Sequence, residues 1–160
     1  MLQQFIKINN PPNDALLVWD GECKFCRYWV NRLRKITGHT ISYAPFQKAA
    51  IQFPEIPERE FREAVKLIDP LGNVYSGAAA ILKTLDYKKS CSLVYSFYKK
   101  NNFFRKTSDF IYEKISNNRP FAYKATVALW GKNPFSPKPY WLIYIVVFIV
   151  AIKWLKKNNG

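Results

Sequence analysis

The stretch "VWDGECKFCRYW", residues 18–29, places Cys23 and Cys26 three positions apart. At a helix start that spacing puts both sulfurs on one side, where they can close into a small disulfide ring. Cys23 would occupy the helix start, where unpaired backbone N–H groups and the helix dipole favour a thiolate. Lys24 and Arg27 add positive charge within a turn. Such surroundings lower a cysteine pKa, and the thiolate is the attacking species in disulfide exchange. Cys26, on the inward face, is the natural resolving thiol. Asp20 has two readings: a proton acceptor and donor during exchange, or a local acceptor that holds the Gly21 turn. Glu22 reads as a helix-start acid and Trp19 as a core residue.

Metal binding is the competing chemistry. A tetrahedral zinc site wants four ligands, usually from two such pairs. His39 and Cys91 are the strongest additional ligands, and each stands alone without recognisable spacing. A Cys23, Cys26, His39, Cys91 site is therefore the weaker alternative. His39 reads as an exposed loop residue and Cys91 as a small buried hydrophobe. Three cysteines cannot make a full disulfide framework, and "MLQQFIKINNPPND" lacks the apolar stretch of a secretory signal. The expectation is a domain on the cytosolic side, where resting thiols are reduced and a CxxC pair is catalytic or metal-binding rather than structural. Dithiol exchange requires no bound cofactor.

The elements that must position these residues follow from pattern. "ALLVW" (15–19) is a short apolar run between turn clusters and reads as a buried strand. Apolar positions recur at helical spacing from Cys23 to Ile36, with Gly38 as the cap. "TISYA" (40–44) is the next strand, and the proline-rich stretch 45–61 holds short helical turns. "AVKLID" (64–69) and "VYS" (74–76) make a hairpin-like pair around "PLGN". A helix starts at "GAAAILKTLD", and three more follow near 91–100, 104–117 and 120–130. This order is α/β, with a mixed sheet flanked by helices.

"GKNPFSPKP" (131–139) reads as a linker, so the globular domain spans 15–130 after an extension, 1–14. The tail, 140–157, is uncharged from Tyr140 to Ile152 and apolar on every helical face. Tyr140, Trp141 and Trp154 are placed like interfacial belts, and the expectation is a short transmembrane helix. The net charge of +14 calls for nucleic acid, an anionic membrane surface or simple solvation. The cations are scattered and no nucleic-acid-binding motif accompanies them, which sets nucleic acid aside.

The run Asp20-Gly21-Glu22-Cys23-Lys24-Phe25-Cys26 after an apolar strand resembles the signature of the DCC family of thiol-disulfide oxidoreductases. "YEKISNNRPFAY" followed by "LWGK" is similar to that family's closing segment, and the resemblance covers roughly 15–132. It departs at Lys24 and Phe25, and no proline directly precedes strand 64–69. The resemblance implies a thioredoxin-like fold, with extra C-terminal helices here. It also implies disulfide exchange through Cys23 and Cys26 with Asp20 assisting, acting on a protein or small-molecule disulfide or thiol. With the tail, the expectation is a membrane-associated domain facing the cytoplasm. A non-catalytic thioredoxin-like adaptor holding a membrane partner is the alternative, and a zinc-binding module the weaker one.

Overall fold

Leu16–Trp19 forms strand β1, and all four residues are buried. Alternate side chains of a strand point to opposite faces, so a strand covered on both faces reads as a continuous apolar run. Leu16 and Val18 enter one core with Phe46, Phe61 and Ile68. Leu17 and Trp19 enter a second with Val30, Leu33, Leu67 and Ala80. The computed structural model describes residues 7–88, 93–136 and 138–158, with side chains as far as Ile149. The reading of Cys91 lies outside the described residues.

After β1 come helix α1 (Lys24–Thr37), strand β2 (Ser42–Pro45), and the short helices α2 (Phe46–Ala49) and α3 (Glu58–Glu63). Strands β3 (Lys66–Ile68) and β4 (Val74–Ser76) and helix α4 (Gly77–Asp86) complete the α/β unit. The sheet order is β2-β1-β3-β4, with β2 parallel to β1 and the other neighbours antiparallel. The expected strands, hairpin and α1 are thus found within a few residues of their sequence limits. Helices α1 and α4 cover one face of this mixed sheet, while α2 and α3 cover the other, where the Phe46 and Phe61 rings stack at 6.4 Å. The segment before β1 joins the domain: Ile8 is buried in the first core and its N–H donates to the Gly72 carbonyl at 2.9 Å.

Three further helices, α5 (Leu93–Lys100), α6 (Asn102–Asn117) and α7 (Arg119–Trp130), pack beside α4 and α1. Tyr98, Ala78 and Ala79 form a third small core there. The register pairs Val18 with both Ala44 and Lys66, and Lys66 with Ser76. The ends of β1, β2 and β4 and the start of β3 therefore share one sheet edge, from which α1 and α4 begin.

The C-terminal helix α8 (Tyr140–Asn158) is present, but the membrane span is a correction. Among the described residues no helix is long and apolar enough to cross a membrane. The uncharged run Tyr140–Ile152 reaches only about 20 Å as a helix, against a hydrocarbon core of about 30 Å. Beyond it the sequence carries Lys153, Lys156 and Lys157. On its described part α8 touches α7 near its start: the Tyr140 ring lies over Gly131, and the Tyr144 hydroxyl donates to the Ala128 carbonyl at 3.2 Å.

Candidate active site

The chain leaves β1 at Trp19, a core residue, and turns immediately. The Cys23 N–H donates to the Asp20 carbonyl at 3.2 Å, and the Glu22 N–H donates to Asp20 Oδ1 at 3.1 Å. Short carboxylate side chains hold turns in this way. Gln47, at the start of α2, adds a second clasp: its Oε1 accepts from the Gly21 N–H, and its Nε2 donates to Asp20 Oδ1, each at 3.1 Å. Only glycine fits at position 21, because a Cβ there would lie 2.8 Å from that of Pro45.

The turn delivers Cys23 to the N-cap of α1, with extended backbone (φ −76°, ψ 113°), and its sulfur accepts from the Cys26 N–H at 3.1 Å. A sulfur thus stands where a serine or aspartate oxygen ordinarily caps a helix. Both cysteines are free thiols and half-buried, and Cys26 leans on the core that holds Leu17 and Val30. Hydrogen bonding from the Cys26 side chain and backbone, aided by the positive charge of Arg119, lowers the Cys23 pKa from 9.0 to about 6, against opposition from burial and Asp20. Cys26 moves the other way: its bond to Cys23, burial and the neighbouring thiolate all raise it.

Asp20, Cys23 and Cys26 are thus brought together, and the Asp20 carboxylate holds the turn. The cations differ from expectation. Arg27 turns its guanidinium to the Gly21 carbonyl at 2.7 Å, and neither it nor Lys24 is among the charges that lower Cys23. The charge comes instead from Arg119, on α7, whose Nη1 lies 3.3 Å from Asp20 Oδ2 in a largely buried ion pair. Sequence reasoning missed this residue as part of the site, although it stands in the "NNRP" run of the closing segment. Arg119 is held by the backbone carbonyls of Arg62 and Glu63, both at 2.7 Å from Nη2, and by Ser116 Oγ at 3.1 Å. Ser116 itself donates to the Glu63 carbonyl, and the Tyr112 hydroxyl accepts from the Val65 N–H at 3.0 Å. Tyr112 packs against Gly77, whose φ of 60° and closeness to the ring (3.2 Å from a Cβ) disfavour any side chain there.

Phe25, between the two cysteines, rests on Trp29, which meets Trp130 of α7 edge-on at 6.2 Å. Helix α7 is thereby anchored to α1 at its far end and to the dithiol turn at its start. His39 is exposed in the turn after α1, and among the described residues no group of three His, Cys, Asp or Glu side chains could hold a metal ion.

No curated protein and no solved structure matched the chain. The model of one family did, across residues 17–125, a span that opens in β1, contains both cysteines and Asp20, and closes in α7 beyond Arg119. By that match the chain belongs to the DCC1-like thiol-disulfide oxidoreductase family.

Proposed function

We propose that the protein exchanges thiols and disulfides through Cys23 and Cys26, with Cys23 as nucleophile. The observation that carries this reading is the unequal placement of the two thiols: the Cys23 sulfur caps α1 and accepts from the Cys26 N–H, while Cys26 packs against the core. The Cys23 thiolate attacks one sulfur of a substrate disulfide, forms a mixed disulfide and expels the first substrate thiolate, which takes a proton from water. Cys26 then loses its proton, attacks Cys23 Sγ and expels the second thiolate, which takes up a proton in turn. The protein leaves with a Cys23–Cys26 disulfide, having given two electrons to the substrate. Run in reverse, the same steps oxidise a dithiol. In this reading Asp20, besides holding the turn, relays the Cys26 proton; its charge acts on both thiols. The reading places this chemistry on the cytosolic side, where a CxxC pair rests reduced.

The test is an alkylation gel-shift of the full chain across glutathione redox buffers, paired with a Cys26→Ser trap. A reversible Cys23–Cys26 couple is expected, and C26S is expected to accumulate mixed disulfides at Cys23. A chain with no reversible couple overturns the reading. The adaptor remains the second reading on one observation, the exposure of Trp141 through Ile149 on α8. A C26S protein that traps nothing while a membrane partner still co-purifies through α8 would favour it.

A further inference from the structure

The polar side chains of α6 and the start of α7 form a stripe that the dithiol mechanism leaves unused. Tyr112 and Ser116 stand four apart on one side of α6, and Arg119 opens α7 just after the break at Asn118. All three engage the segment Arg62–Val65, which leads into β3. Arg119 alone continues past that segment to Asp20. A guanidinium offers five donors in a rigid fork and stays charged at every working pH, so it can hold two backbone carbonyls and still face an anion.

We propose, resting on the dithiol reading above, that Arg119 is a positioning residue: a fixed cation shared between Asp20 and the Cys23 sulfur. It favours the anion that Cys23 becomes whenever the disulfide opens. Three features of the geometry support this. The side chain is only 18% exposed, so its charge is weakly screened. Its carbonyl partners and Ser116 prevent it from swinging away. Asp20, its carboxylate partner, sits three residues before Cys23, and its backbone carbonyl accepts from the Cys23 N–H. The Cys26 N–H reaches the Cys23 sulfur directly. Asp20, bonded to the Cys23 N–H and paired with Arg119, links the guanidinium of α7 to this turn. The charged groups acting on the sulfur are therefore Asp20 and Arg119, with Tyr112 beside Arg119 and Cys26. Asp20 and Arg119 act on the sulfur with opposite signs, and their pairing sets how much positive charge it receives.

The experiment follows Cys23 alkylation in the reduced full-length protein across pH, resolved by peptide mass spectrometry so that each cysteine is read separately. Arg119→Gln is expected to move the Cys23 midpoint up by about one pH unit or more. Arg119→Lys retains the charge and is expected to restore most of that shift. Asp20→Asn, close in shape and still an acceptor for the Glu22 N–H, is expected to move the midpoint down, because the guanidinium then faces the sulfur without a competing anion. An R119Q protein with the parent's circular dichroism and an unmoved midpoint overturns the proposal. If R119Q does not fold, a D20N midpoint that stays or rises overturns it instead. These midpoints are read on the reduced thiols, so they stand apart from the redox reading, which fails only if the parent forms no reversible couple.

Discussion

The sulfurs of Cys23 and Cys26 belong to the same residue type and the same helix, yet their surroundings push them in opposite directions. Cys23 receives the Cys26 N–H and feels the positive charge of Arg119, while Cys26 leans into the core. Alkylation of Cys23 is expected to rise about tenfold per pH unit below about 6 and to flatten above about 7, as a single thiolate titration requires. The same inequality acts on stability. A folded pKa of about 6 against an ordinary 9.0 means the thiolate stabilises the reduced fold. That contribution is fully present above pH 9 and is lost as pH falls through 6. Denaturant unfolding of the reduced parent, compared with C23S, is expected to show the parent gaining relative stability from pH 6 to 9. A stabilised thiolate also favours the reduced protein. Dithiols with a thiolate pKa near about 7 have potentials near about −270 mV, and those near about 3.5 reach about −120 mV. The Cys23–Cys26 couple is expected between those limits when measured against glutathione.

At the scale of elements, much of this arrangement was legible in the residues. The four apolar positions of β1, the helical spacing after Cys23 and the turn at Pro70–Asn73 are local patterns, and local patterns survive folding when both faces of a strand are buried. Arg119 was not legible as a site residue, because it pairs with Asp20 across 99 positions and no periodicity encodes that distance. The nearby cations Lys24 and Arg27 drew attention for their spacing, whereas Arg27 was needed to close the Gly21 turn. The tail misled for a different reason: hydropathy reports what a helix avoids, while crossing a bilayer also demands length. Two packing devices position the site and can be tested. Gly77→Ala introduces a side chain at a left-handed residue against Tyr112 and is expected to cost about 1–2 kcal/mol in denaturant unfolding. Phe61→Ala, removing one of the stacked rings behind β1, is expected to cost about 3–5 kcal/mol.

For the molecule as a whole, the domain and α8 are joined lightly. Trp141 through Ile149 remain between 39% and 67% exposed, and among the described residues of α8 the Tyr140 ring lies over Gly131 and the Tyr144 hydroxyl donates to α7. A net hydrogen bond contributes about 0.5–1.5 kcal/mol. Removing residues 140–160 is therefore expected to change unfolding free energy by about 2 kcal/mol or less and to leave the Cys23 alkylation midpoint in place. The dithiol, by contrast, depends on the whole domain, since its turn comes from β1, its clasp from α2 and its countercharge from α7. The clamp from Tyr112 to Arg119 has a consequence for what can approach. The carbonyls of Arg62 and Glu63 and both backbone groups of Val65 are already satisfied from within, by α6, α7 and the Gly77 N–H. An extended peptide arriving beside the dithiol meets a main chain with those bonds already made, and cannot dock there as an added strand. If the proposed exchange holds, selection among substrates at this edge falls to the disulfide itself and to the shape of the side chains that flank it.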